Sequence, residues 1–252
     1  MNKNPLISIV TPCYNASKYI GIMIESVKAQ SYINWELLIV DDHSTDNSCS
    51  VIKEYISNDN RIKLLQTNQN TGSPAEPRNI GINNSKGSFI ALLDADDLWY
   101  PLKLEEQLKT ITEKKCDIVY SNGDIINEKG EKIRSMNKTP WVDYRRTLKR
   151  NELSCSSVLI RKEVIGNIKF QNIPKEDFVF WLELMRTSGE KAYNTNKSHY
   201  AYRLVANSRS RNKYSIVQQQ WNVLRNIEKL SLMDSIYCFA CWATRNVKKY
   251  YI

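Results

Sequence analysis

Three groups of carboxylates fall where an apolar segment ends or begins. Asp41 and Asp42 follow ELLIV (Glu36–Val40), Asp94, Asp96 and Asp97 follow FIALL (Phe89–Leu93), and Glu176 and Asp177 precede FVFWLELMR (Phe178–Arg186). Carboxylates this close repel one another unless a cation or hydrogen-bond donors offset them. Hard divalent ions such as Mg²⁺ or Mn²⁺ take oxygen ligands together with substrate phosphates. A metal holding a diphosphate therefore suits the 94–97 cluster. A simpler reading also exists: Asp96 or Asp97 caps the helix that begins near Leu102, and Glu176 and Asp177 sit in a first helical turn, where acids favour the helix dipole. An Asp-x-Asp alone does not choose between the two.

Other chemistries start from a poor inventory. His43 and His199 are the two histidines, too few for a histidine-rich metal centre and unpromising for Ser/His/Asp hydrolysis. The six cysteines lack the spacing of a disulfide scaffold. Cys238 and Cys241 form a CxxC inside an apolar helical pattern, with no second pair to complete a zinc site. They read as reduced core thiols.

The elements that must position the acids alternate. Strand patterns at Leu6–Val10, Glu36–Val40, Ile62–Gln66, Phe89–Leu93 and Asp117–Ser121 are separated by helical patterns near Lys18–Gln30, Asn47–Ser57, Pro77–Asn84 and Leu102–Lys114. This rhythm predicts an α/β fold with a mostly parallel sheet flanked by helices. In such open sheets ligands bind beyond the carboxyl ends of the strands, where Asp41 and Asp94 fall. After residue 121 the pattern loosens, a strand at Ser156–Arg161 implies a mixed sheet, and helices dominate from Asp177 onward.

Four segments then decide the reading: SIVTPCYNASKYI (Ser8–Ile20), VDDHSTDNS (Val40–Ser48), NTGSPAEPRNIGI (Asn70–Ile82) and LDADDLWYP (Leu93–Pro101), in that order. Together they resemble the inverting nucleotide-sugar glycosyltransferases of family 2, with the GT-A fold. The resemblance covers residues 5–122 and returns at KEDFVFWLELMR (Lys175–Arg186). It implies a catalytic domain over residues 1–215, with a nucleotide-sugar half to about 122 and an acceptor half from 123, followed by C-terminal helices at 216–252.

The resemblance also assigns roles. Thr11 and Tyr14 would hold the nucleoside, Tyr14 by stacking, and Asp41 would accept from the uracil N–H. Asp42 and Asp46 would order their loop. Arg78 would reach the nucleotide or the acidic cluster as a counter-charge; Pro74 and Pro77 depart from the usual form of that loop and stiffen it. Asp94 would lie near the ribose or sugar, Asp96 would bind Mn²⁺ or Mg²⁺ on the diphosphate, and Asp97 would be structural. Asp177, with Glu176 second to it, would be the base that takes the acceptor proton. Trp181, one turn along the same helix, would line the acceptor pocket or pack in the core. Arg203, Ser208 and Arg209 would belong to a lid over the diphosphate.

The implied function is transfer of a hexose or N-acetylhexosamine from a UDP-sugar to a glycan hydroxyl, in capsule, O-antigen or lipooligosaccharide synthesis. The acceptor would be linked to undecaprenyl diphosphate or to a lipid A-core. Two other readings stand beside it: a sugar-nucleotide-binding scaffold without turnover, and a sugar nucleotidyltransferase, which would want a Gly-rich, Arg-containing N-terminal loop that TPCYNASKY does not supply.

Composition narrows the setting. With 42% apolar and 25% charged residues the chain is an ordinary globular protein. It shows neither a membrane-spanning run nor a signal peptide, so the cytoplasm is expected. Residues 201–252 carry nine Lys/Arg against Glu228 and Asp234. Leu232, Ile236, Phe239, Ala240, Ala243 and Val247 follow helical spacing, with Arg245, Lys248 and Lys249 close behind. That pattern fits an amphipathic helix on the inner face of the plasma membrane, or one packed on protein. No nucleic-acid motif accompanies the charge, and no nucleic-acid partner is expected.

Overall fold

The computed structural model describes residues 4–205 and 213–251, except the side chains of 213–214 and 245–251. Its first half is built from β1 (Ile7–Cys13), α1 (Ile20–Lys28), β2 (Trp35–Asp41), α2 (Ser48–Ile56), β3 (Ile62–Gln66), α3 (Ala75–Asn84) and β4 (Phe89–Leu92). The strands lie in the order β3-β2-β1-β4, all parallel. ISIVTPC and WELLIVD are near-continuous apolar runs because both faces of a central parallel strand are covered.

Alternate residues of each strand feed opposite cores. Ile7, Ile9, Leu37, Ile39, Phe89 and Ala91 face α1, which buries Ile20, Met23, Ile24 and Val27 at helical spacing. Val10, Leu38, Ile90 and Leu92 face Ala75 and Ile82 of α3 on the other side. Gly81 sets that second contact: a Cβ there would lie 2.3 Å from Val10 Cγ1, so only glycine lets α3 sit this close to β1. Pro77 falls in the first turn of α3, where its missing N–H is no loss.

The second half continues through β5 (Leu98–Trp99), α4 (Lys103–Lys114), β6 (Ile118–Ile126), β7 (Lys132–Met136), β8 (Trp141–Val142) and α5 (Tyr144–Lys149). A 3-10 turn (Cys155–Ser157) precedes β9 (Leu159–Arg161), α6 (Lys162–Ile165), α7 (Glu176–Ser188) and β10 (Ala192–Arg203). The sheet extends as β4-β9-β6-β10-β5, with β9 antiparallel to both neighbours and β10 parallel to β6. The mixed sheet expected after residue 121 is present. One element departs from expectation: residues 192–203, within the stretch read as helix-dominated, form the longest strand, β10. AYNTNKSHYAYR is polar enough to hide it. Its pairing with β6 is irregular between Asn194 and Tyr200, and its half-buried surface mixes apolar and polar neighbours.

The chain ends in α8 (Lys213–Asn222), which runs into a π-helical turn (Val223–Ile227), and α9 (Leu232–Tyr251). Val223, Leu224 and Cys238 pack on Leu148 of α5 and on Phe178, Val179 and Leu182 of α7. Among the described residues, no helix is long and apolar enough to cross a membrane.

Candidate functional site

The topology puts the acids on one edge. β1 is flanked by β2 on one side and β4 on the other, so the carboxyl ends of these three strands border the crevice where the strand order reverses. Asp41 ends β2 opposite Cys13 of β1, and Asp94 lies two residues past β4.

On the β1–β2 side two loops are laced together. Asn15 donates its backbone N–H to Ser44 Oγ, and its Oδ1 accepts from Thr45 N. Ala16 N–H donates to Ser48 Oγ and Ser17 N–H to Asp46 Oδ2. Asp42 is fully engaged, accepting from Thr67 Oγ1 and from the N–H and hydroxyl of Thr71. Asp41 is different. Its Oδ2 accepts from Ser44 N at 3.1 Å, while Oδ1 is buried with no partner. A buried lone acceptor is costly unless a donor arrives. Tyr14, 51% exposed on the adjoining loop, offers its ring. Thr11 is buried within β1, and its Oγ1, like Asp41 Oδ1, has no hydrogen-bond partner among the described residues.

The turn carrying Asp94 to Asp97 is clamped from three directions. Ser156 Oγ accepts from Asp94 N and donates to Asp97 Oδ2 at 2.6 Å. Arg203 donates its backbone N–H to Asp97 Oδ1 and its Nε–H to the Asp96 carbonyl. Asp97 is buried and structural, its carboxyl pushed well up by burial and by the neighbouring Asp94. Arg203 also differs from expectation. It ends β10 rather than lying on a lid, is 3% exposed, and directs its guanidinium to the carbonyls of Asp96, Asn127 and Glu128 over the Tyr19 ring. It shapes the acidic turn from behind. Ser208 and Arg209, the other lid candidates, lie outside the described residues.

Asp96 is the acid left over. Burial and Asp94 push its carboxyl up to about 6, and among the described residues no other side chain hydrogen-bonds or ion-pairs with it. A raised, unpaired carboxylate fits a divalent cation. The described residues offer no cluster of three His, Cys, Asp or Glu able to hold a metal. The donor set therefore suits Mg²⁺ or Mn²⁺ completed by phosphate and water oxygens better than an all-protein cage.

Arg78 joins this turn to the other acids. From the first turn of α3 its Nη2 donates to Asp94 Oδ1 at 2.7 Å and its Nη1 to Glu176 Oε1 at 3.1 Å. The guanidinium is 4% exposed and lies over the Phe170 ring. Asn79, which sequence reasoning passed over, clips the loop before α7 in both directions: its Nδ2 donates to Phe170 O and its Oδ1 accepts from Phe170 N, each at 2.8 Å. Lys175 then turns the chain through a left-handed conformation (φ 59°) into α7.

Asp177 sits in that first turn, its Oδ1 accepting from Phe178 N and its Oδ2 near Asn151 Nδ2 at 3.4 Å. Burial and the adjacent Glu176 raise it to about 6. That value leaves a carboxylate ionised at neutral pH yet basic enough to accept a proton. Trp181 is corrected: it is 0% exposed, in edge contact with Phe170 and Phe180, and is core rather than acceptor surface.

Removing the bridge should leave two acids facing each other. Arg78→Met is expected to cost roughly 2–3 kcal/mol by urea unfolding, below the usual cost of breaking a buried pair because both carboxylates keep some water. Unchanged stability would mean the bridge is incidental.

Comparison with known proteins agrees with this geometry. Residues 8–167 match the model for glycosyl transferase family 2. The chain is 36% identical over 250 residues to a Bacillus subtilis protein named for teichuronic acid biosynthesis, the glycosyltransferase TuaG, covering 98% of each. It is 34% identical over 245 residues to the Escherichia coli UDP-Glc:alpha-D-GlcNAc-diphosphoundecaprenol beta-1,3-glucosyltransferase WfgD, covering 97% of this chain and 95% of that one. In fold it is similar to S. aureus TarS 1–349 in complex with UDP-GlcNAc, with a TM-score of 0.74 at 20% identity over 96% of this chain and 72% of that one. It is also similar to the Pyrobaculum calidifontis mannosyltransferase PcManGT in complex with GDP-Man and Mn2+, with a TM-score of 0.68 at 15% identity over 96% and 74%. The four motifs, the sheet order and the crevice acids thus converge with these likenesses, and the chain belongs to glycosyl transferase family 2, with a GT-A fold.

Proposed function

We propose that the protein transfers a hexose or N-acetylhexosamine from a UDP-sugar to a hydroxyl of a lipid-linked glycan, with inversion and with the help of Mn²⁺ or Mg²⁺. One observation carries the reading: two weakened acids flank the Arg78 bridge, Asp96 with no side chain hydrogen-bonded to it among the described residues and Asp177 at the head of α7. The WfgD name, which gives a UDP-Glc donor and a diphosphoundecaprenol-linked acceptor, supports the substrate class.

Asp41 Oδ1 accepts the uracil N–H and Tyr14 stacks on the base. Asp94 faces the ribose or sugar, and Asp96 holds the cation. The cation, when bound, neutralises charge developing on the leaving diphosphate. Arg78 holds Asp94 and Glu176 at fixed separation, which keeps the donor turn and the base helix in register. Asp177 takes the acceptor hydroxyl proton as that oxygen bonds to the anomeric carbon, and the sugar–phosphate bond breaks on the opposite face with its electron pair going to UDP.

The division of labour is testable. Asp96→Asn is expected to weaken metal-dependent UDP binding, whereas Asp177→Asn keeps UDP binding and loses transfer by about a thousandfold, near the reach of a general base. Because the base must be ionised, kcat/KM should rise with pH through about 6 and fall away below it. Near-normal transfer by Asp177→Asn would remove the base assignment. UDP binding without any transfer by the wild-type chain would favour a binding scaffold.

The same reading extends to the membrane. α9 buries Ser235 and Cys238 but exposes Leu232, Met233, Ile236 and Tyr237 by 53–81%. Lys149 of α5 stands beside Tyr237, its Nζ 4.7 Å from the ring. An exposed apolar face with Lys149 beside it suits an anionic bilayer, and it would bring the α7 acids to a lipid-linked acceptor. Flotation with phosphatidylglycerol vesicles should carry the wild-type protein, and Met233→Glu with Ile236→Glu should abolish it. Equal flotation of both would place the contact elsewhere.

A further inference from the structure

Lys138 lies outside the acids, in the turn between β7 and β8, and the fold takes unusual trouble to hold it. Its backbone N–H donates to Oδ1 of Asn122 on β6, and its carbonyl accepts from Nδ2 of Asn194 on β10. The two asparagines are themselves joined at 2.8 Å and are 9% and 3% exposed. Two buried amides on neighbouring strands therefore fix one surface-loop lysine.

Its ammonium points into the molecule. Nζ donates to Ser154 Oγ at 3.1 Å and lies 5.0 Å from the Tyr200 ring centroid. The Ser154 hydroxyl is in turn 2.7 Å from Tyr200 OH. Among the described residues no carboxylate comes within ion-pairing distance of Nζ; Glu152 and Asp97 attract it from further off, and Glu152 is paired with Arg150. Burial lowers the ammonium to about 7. A recessed cation with hydroxyl and aromatic neighbours but no carboxylate bonded to it is a costly arrangement that an incoming anion would relieve.

Position decides which anion. Ser154 is two residues from Ser156, the clamp on Asp94 and Asp97, and the Lys138 ammonium lies within electrostatic reach of Asp97 itself. Lys138 therefore borders the same crevice. Yet it is anchored on β6 and β10, on the side of β4 away from β1 and β2. Two strand steps separate β4 from β6, about 10 Å. The donor's nucleoside and diphosphate occupy the β2-β1-β4 side, so a group reaching Lys138 comes from beyond the transferred sugar.

We propose that Lys138, with the Ser154 hydroxyl, seats an anionic group of the acceptor: either the carboxylate of a uronic acid or the diphosphate next to the accepting sugar. The inference rests on the donor reading above. It assigns specificity on the acceptor side to a residue outside every motif that revealed the family.

The test measures binding by titration calorimetry, with and without UDP and Mn²⁺. The probes are a GlcNAc-diphosphate on a short alkyl chain, methyl glucuronide, and neutral methyl glucoside. The wild-type protein is expected to prefer one anionic probe over the neutral one by at least tenfold, and which of the two it prefers identifies the source of the charge. Lys138→Met should erase the preference and Lys138→Arg should restore most of it. Ser154→Ala, which leaves the ammonium in place, should lower it severalfold and serves if Lys138→Met does not fold. Equal binding of anionic and neutral probes, or a preference that survives Lys138→Met, overturns the proposal. UDP binding with no anionic preference contradicts this inference alone; an anionic preference lost with Lys138 in a protein that ignores UDP contradicts the donor reading alone.

Discussion

The Arg78 guanidinium is the constraint on which the site depends. It is nearly inaccessible to water, yet it bonds two acids 82 residues apart in sequence, Asp94 after β4 and Glu176 at the head of α7. A buried guanidinium needs anions, and closely set carboxylates need a cation, so each part makes the other tolerable. Arg78 itself is held by α3, whose close approach to β1 requires Gly81. The next residue, Asn79, fixes the loop that leads into α7. A single helical turn thus sets the distance between the turn that carries Asp94 to Asp97 and the head of α7.

That bridge leaves two nearby acids without a bond to Arg78, and their surroundings differ. Asp96 is raised by burial and by Asp94, with Arg203 only partly offsetting them. Asp177 is raised by burial and by Glu176, and its Oδ1 is already bonded to Phe178 N. The contrast is what the proposed roles rest on, Asp96 as metal ligand and Asp177 as proton acceptor, although both are aspartates near the same acids. Asp97, nominally the third member of the cluster, is consumed by Ser156 and Arg203.

Much of this was legible in the sequence, for physical reasons that also explain what was not. The parallel half could be read because apolar runs such as ISIVTPC alternate with helical patterns, and strand ends in such sheets present loops to a crevice. The acids stood out as charges at those ends, and Arg78 through the PRNIGI segment of the family resemblance. β10 could not be read, because AYNTNKSHYAYR is a strand with a disrupted register and polar neighbours. That miss carried Arg203 with it: read as part of a lid, it is the last residue of a buried strand. Trp181 shows the opposite limit. It sits at a site-like position, but the direction of a side chain depends on packing from elements far away in sequence, here Phe170 against Trp181. Lys138 had no local signal at all, since the asparagines that hold it lie on β6 and β10.

We propose that the acids at the carboxyl ends of β2 and β4 form one site for a nucleoside diphosphate and a divalent cation. Thermal unfolding with UDP, in Mn²⁺ and then in EDTA, tests it most directly. At a hundredfold excess over Kd, ligand linkage is worth about 2.7 kcal/mol. For a chain of this size that corresponds to a rise in Tm of roughly 5–10 °C. The account predicts that rise with UDP and Mn²⁺ together and its loss in EDTA. No shift with UDP and Mn²⁺, or an equal shift in EDTA, would contradict it.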